Sequence, residues 1–213
     1  MAKDSSESAG AGSSTPERIL LAAERLFSAR GIDAVSLREI TTAAGVNSAA
    51  AHYHFGSKEA VLEELFALRA RPIAEKREQL LAQLKRSRLG RHKLEDVLRA
   101  FLKPAQEAMN TPGGAAFTML RARMAFEREE LRRTALSKAF DHSSQLALEA
   151  LSQALPKLAP KDLHWRFHFV MGAMVYTMAA PGRIESMTGL DTSNAKAGLE
   201  QLVRFAAAGL RAA

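Results

Sequence analysis

Apolar side chains return every three or four positions along this chain and almost never alternate with polar ones, the period of helices that each bury one stripe. Ile19, Leu20, Ala23, Leu26 and Phe27 make the first stripe, behind Thr15 as N-cap and Pro16 at the first helical position, and Gly31 ends it. Ser36 and Glu39 then stand in capping-box spacing: the hydroxyl accepts from the backbone of residue 39 while the carboxylate reaches back to residue 36. Leu37, Ile40 and Ala44 follow at helical spacing, and Gly45 comes where a helix end needs positive φ. Asn47 is the N-cap of a third piece that Gly56 stops barely two turns later. Ser57 caps a fourth helix with Val61, Leu62, Leu65, Phe66 and Leu68 facing inward, as far as a kink or new start at Pro72.

Beyond Pro72 helical patterns run over 73–84, 94–109 with a kink at Pro104, 115–126, 131–155, 163–179 and 195–210. Breaks fall at 89–91, 111–114, 156–160 and 181–192. With no strand alternation or hairpin turn to compete, the fold class is all-α. Residues 1–14, rich in Ser, Gly and Ala, read as a disordered tail; 15–60 form a small three-helix domain, and 61–213 a helical body.

The third helix is chemically odd for a core element. It presents Ser48, Ala49, Ala50, His52, Tyr53 and His54 with almost no bulky aliphatic residue. Small residues at its start allow close approach to a surface, and its hydroxyl and imidazole groups suit phosphate oxygens or base edges, so a DNA major groove fits. A poorly packed surface helix, or a corner between two bundle helices, fits the same spacing.

Composition narrows the setting. The absence of cysteine excludes disulfides and thiolate metal sites. No apolar run approaches the roughly 18 to 20 residues of a membrane span, and the N-terminus lacks the apolar core of a secretion signal, so the expected location is the cytoplasm. The net charge of +7 does not sit on the three-helix domain, where five basic and five acidic side chains cancel. It sits in 69–103, where eleven Lys or Arg face four acids; this is the solvated face of a connecting helix, or the source of a long-range field that draws in DNA.

Two features of the body bear on chemistry. The 163–179 helix carries Trp165, Phe167, Phe169, Met171, Met174, Tyr176 and Met178 nearly all round, as a helix buried on several sides does. Either a partner subunit or a central place in a monomeric bundle accounts for it, and Ala206, Ala207, Ala208 and Gly209 in the last helix allow close helix approach. The surplus of flexible apolar side chains, Met119, Phe126, Met174 and Met178 among them, suits either ordinary packing or a cavity for a hydrophobic guest. The candidate ligand-binding set is Phe117, Arg121, Met124, Phe140, Trp165, His168, Phe169, Met171 and Tyr176, with Arg123 nearby, and an Arg would suit a carboxylate. His164 and His168 share a face as metal ligands do, but Trp165 stands where the zinc-protease pattern needs Glu and no third ligand is near, so no metal and no cofactor are expected. A Gly-rich phosphate loop, a strand-borne nucleophile and paired carboxylates are all missing, and the chain does not read as an enzyme.

The stretches PERILLAAERLFSARG, VSLREITTAAGV and NSAAAHYHFGSKEAVL resemble the three-helix head of the tetracycline-repressor family of bacterial transcription regulators. That resemblance implies a helix-turn-helix in which Ser36, Tyr53, His54 and Lys58 hold phosphates and Arg38, Ser48, Ala49 and His52 make base contacts, with Asn47, between the two helices, also in the DNA-binding set. Many relatives carry Thr-Leu-Tyr where this chain has Ala50, Ala51 and His52, so a phosphate-binding hydroxyl is missing at 50. The last two helices resemble those that pair with their symmetry mates in a four-helix dimer interface, and the 163–179 segment weakly resembles the PsrA-type fatty-acid-responsive subgroup. The implied function is a homodimeric repressor of a pseudo-palindromic DNA operator, released by a small hydrophobic effector such as a fatty acid or acyl thioester. The competing expectation is a helical lipid carrier or enzyme whose head is a protein contact.

Overall fold

A computed structural model describes residues 14–86 and 93–212. The expected tail, apart from Ser14, and the break at 89–91 lie outside the described residues. All regular elements among the described residues are helical.

Helix α1 (Thr15–Arg30) is capped one residue earlier than the pattern predicts. Ser14 Oγ accepts from the Glu17 N–H at 3.4 Å, and Glu17 Oε2 accepts from the Ser14 N–H at 2.7 Å. This box makes Ser14 the cap and moves Thr15 and Pro16 to the first two helical positions. Helix α2 (Leu37–Ala44) starts on the predicted Ser36–Glu39 box and stops at Gly45, whose φ of 62° lets its N–H reach the carbonyls of Thr41 and Thr42. Helix α3 (Ser48–His54) starts on Asn47, whose Oδ1 accepts from the Ala49 N–H at 2.9 Å. Ile19, Ala23, Phe27, Ile32, Val35, Ile40 and Ala51 close the core of this head.

Helix α4 (Lys58–Arg86) runs through Pro72 without a break. The proline lies on the exposed side, and Leu68, whose carbonyl loses its donor, is exposed as well, so water can satisfy that carbonyl. The body adds α5 (Leu94–Met109), α6 (Gly114–Arg123) with a short 3-10 turn at Met124–Phe126, α7 (Glu129–Arg132), α8 (Lys138–Ala154), α9 (Pro160–Ala179), α10 (Arg183–Thr188) and α11 (Ala195–Arg211). Where the pattern predicts one helix over 131–155, a π-helical turn at Arg133–Ser137 joins α7 to α8. Where it predicts only a break over 181–192, the short α10 forms, with none of its residues buried. Helix α4 packs between α5 and α8, α5 also meets α11, and α9 lies against α6, α8 and α11. Aromatic pairs add two further contacts, Phe66 of α4 on Phe117 of α6 at 5.1 Å and Phe101 of α5 on Phe167 of α9 at 5.0 Å.

Head and body are joined by polar clamps as well as by packing of α1 on α4 and α6. Arg69 of α4 holds Glu24 of α1 through two bonds of 2.8 and 2.5 Å and donates a third, 2.8 Å, to the Pro112 carbonyl ahead of α6. Gly113 has a φ of 80°, and a Cβ there would collide with both members of that pair. Arg123, at the end of α6, donates to the Ser28 carbonyl of α1 at 3.1 Å. These clamps take up part of the basic run at 69–103. Arg69 is paired, Arg99 pairs with Asp96 and Glu200, Lys103 pairs with Glu107, and Arg77 is buried, so that run is not a uniform solvated face.

Candidate nucleic-acid interface

Helix α3 buries a single residue, Ala51, and turns the rest of its surface outward. Ser48, Ala49, His52, Tyr53 and His54 are all exposed, Tyr53 to 86 %. Arg38, Ser36 and Asn47 are exposed as well, so all the sequence-predicted contact residues but one are open to solvent. The exception is Lys58, half-buried, with its ammonium donating to the Ile32 carbonyl at 3.0 Å. An ammonium has three N–H groups, so that bond aims the charge while leaving donors for a second acceptor. His52 Nδ1 lies 3.1 Å from the Gly56 carbonyl. A carbonyl only accepts, so Nδ1 carries the hydrogen and Nε2 is left for another partner. Behind them, the Ser36 backbone N–H, the Arg30 guanidinium and the Ser36 hydroxyl together pull the Glu39 carboxyl down to about 2. Its charge fixes the start of α2.

The body has an inner and an outer face. Inside, Phe117, Met124, Met174 and Met178 are buried, Phe140 and Met171 are half-buried, and two arginines lie among the apolar residues: Arg77, 1 % exposed, and Arg121, 8 %. Outside, Trp165, Phe169, Gly172 and Tyr176 form one exposed stripe along α9, and Phe205, Ala208 and Gly209 are exposed on α11. Ala206 and Ala207 turn inward instead. The structure therefore divides the candidate ligand set. Phe117, Arg121, Met124, Phe140 and Met171 belong to the interior; Trp165, His168, Phe169 and Tyr176 stand on the outer surface, because α9 packs on α6, α8 and α11 with its opposite side. His164 and His168 line an open groove of about 690 Å³ with Lys161 and Trp165. No cluster of three metal-binding side chains occurs among the described residues.

A family model described as bacterial regulatory proteins of the tetR family matches residues 19–65, and one described as the tetracyclin repressor-like C-terminal domain matches residues 99–209. The second alone spans more than half of the chain. The protein belongs to the TetR family of transcription regulators. No curated protein matches it. Solved structures of TetR type share its fold over nearly their whole length. The fatty acid degradation regulator FadR from Bacillus halodurans is 17 % identical, with 96 % of this chain and 100 % of that one covered at a TM-score of 0.65. PfmR from Thermus thermophilus is 18 % identical over 95 % and 98 %, at 0.62. A regulator from Bordetella parapertussis is 18 % identical over 92 % and 95 %, at 0.67.

For a TetR-family chain, the head was readable because caps and glycine stops are local signals. Two parts of the site were not. Arg77 sits in a charge run whose spacing says nothing of burial, and the Arg69–Glu24 and Arg123–Ser28 clamps join residues 45 and 95 positions apart. Among the described residues no helix is long and apolar enough to cross a membrane.

Proposed function

We propose that this TetR-family regulator is a cytoplasmic homodimeric repressor whose two α3 helices enter successive major grooves of a pseudo-palindromic operator. The observation that carries the reading is α3 itself: a helix that buries only Ala51 contributes little to its own fold, so its exposed Ser48, Ala49 and His52 are free to meet base edges while Tyr53, His54, Ser36 and Lys58 hold phosphates. With Nδ1 committed to Gly56, Nε2 of His52 is left to meet a base edge.

The second copy covers the outer stripe of Trp165, Phe169, Tyr176 and Phe205. The exposed glycines at 172 and 209 let two such helix pairs approach closely. A small apolar effector enters the body interior between α4, α6 and α8. The path from there to DNA is short: α6 carries Phe117 and Arg121 on the inside and holds the end of α1 through Arg123, while α4 carries both Arg77 and the Arg69 clamp. Displacing either helix turns the heads away from the spacing of the grooves. The fold shared with a regulator of fatty acid degradation is in keeping with a long-chain acyl effector.

DNA flanking the coding region tests this reading. The dimer should bind one segment there at least about a thousandfold more tightly than scrambled duplex of equal length at the same salt. Equal affinity for both would return the head to a protein contact and favour the carrier.

A further inference from the structure

Arg77 and Arg121 are buried cations, and among the described residues neither has an anionic partner. Arg77 Nε donates to the Phe101 carbonyl at 2.8 Å, its guanidinium carbon lies 4.0 Å from the centre of the Phe101 ring, and a terminal N–H points at Met174 Sδ at 3.7 Å. Arg121 has less: a contact to Met178 Sδ at 3.8 Å, and an Nε with no partner. The guanidinium carbons of both lie beside the same Phe140 ring, at 5.6 and 5.8 Å from its centre. Among the described residues no carboxylate pairs with either, whereas Arg69, Arg99 and Arg211 all have one. Burial and the neighbouring Arg121 push Arg77 down to about 9, and burial pushes Arg121 down to about 10, so both remain charged at neutral pH. Uncompensated buried charge is strongly destabilising. Thioether and ring contacts offset little of that cost.

Resting on the reading of the body as an effector domain, we infer that Arg77 and Arg121 together form the anion anchor of the effector site and take the carboxylate of an apolar acid inserted headgroup first. The unpartnered Arg121 Nε and the terminal nitrogens of both side chains supply the forked donors that a carboxylate accepts. Phe140, Met174 and Met178 border them, and the two flexible methionines adapt in shape, as an entering acid requires. The enclosure also sets the chemistry. A free acid carries its charge on a small group that fits within a helical bundle, whereas an acyl thioester has a neutral acyl carbon and keeps its charge on a bulky nucleotide.

Calorimetry on the full-length protein without DNA tests the anchor, using dodecanoate, methyl dodecanoate and dodecanoyl-coenzyme A below their aggregation limits. Dodecanoate should bind at least about tenfold more tightly than the neutral ester, the worth of one charge-assisted hydrogen bond. R77M and R121M should each remove that preference by weakening dodecanoate alone. In the ligand-free protein R121M should melt no lower than the wild type, since it deletes an unpaired buried charge, and that result separates lost binding from lost folding. Ester binding as tight as the acid, thioester binding with no acid binding, or R77M and R121M that keep the acid preference would each overturn the anchor. Operator affinity measured separately with and without dodecanoate decides release: acid that binds through both arginines yet leaves operator affinity unchanged supports the anchor and sinks the effector-release reading.

Discussion

Glu39 shows how much one side chain holds together in the head. Its carboxylate accepts from the Ser36 N–H and hydroxyl and from Arg30, and these groups lower it from 4.5 to about 2. A carboxyl depressed on folding stabilises fully above its unfolded value and loses that contribution as pH falls through its folded value. The wild type should therefore lose its advantage over E39Q between about pH 4.5 and pH 2, followed by thermal melting; an advantage that does not change across that window would contradict the assignment. On DNA, Lys58 and His52 should behave differently. K58A should weaken binding to all sequences alike and make the slope of log affinity against log salt shallower by roughly one per half-site, whereas H52A should cost about 1 to 3 kcal/mol per half-site on the operator and much less on random duplex. Equal losses for H52A on both DNAs would move His52 to the positioning group. The caps and stops were legible from near neighbours, Ser36 with Glu39 and Gly45 at the end of its helix, whereas the contact roles of His52 and Lys58 rested on the family resemblance alone. Arg77 was not legible, since nothing within its turn distinguishes it from Lys76 or Arg71, and only the packing of α5 and α8 around α4 buries it.

Among the elements, α6 and α4 have the most to do, because each touches both the head and the body interior. The Arg69–Glu24 pair joins them to α1, and Glu24 is only 2 % exposed. R69M strands a buried carboxylate and should cost about 3 to 5 kcal/mol, while E24L/R69M, which removes both charges, should recover most of that loss in urea unfolding. A double variant as unstable as R69M would mean that the charges are not what holds the joint. G113A next door should destabilise by about 1 kcal/mol or more through its positive φ and its collision with the same pair. Helix periodicity revealed α5 and α11 almost to the residue, since each carries a regular apolar stripe, and the unbroken apolar run of α9 marked most of that helix too. It missed the π turn at Arg133–Ser137, and it left a kink or new start at Pro72, where α4 runs on because the proline lies on an exposed face and water can reach the carbonyl that loses its donor. The outer placement of Trp165, Phe169 and Tyr176 was also hidden: a helix apolar nearly all round does not say which side faces its own subunit.

At the scale of the whole molecule, the proposed function ties the exposed stripe on α9 and α11 to DNA binding, since that stripe would hold two heads together. F169D places a charge in the middle of the stripe without touching the interior and should convert a sedimenting dimer to a monomer, with operator binding lost in parallel, because one head alone makes too few contacts. A wild-type monomer in sedimentation would sink the dimeric reading. The central claim, two α3 helices held at groove spacing, is tested most directly by selecting binding sites from a library of random duplexes with the full-length protein. The account predicts recovery of a pseudo-palindrome whose half-sites are centred about 34 Å apart, one helical turn, or a multiple of that. A single half-site motif, or no enrichment over the starting library, would contradict it.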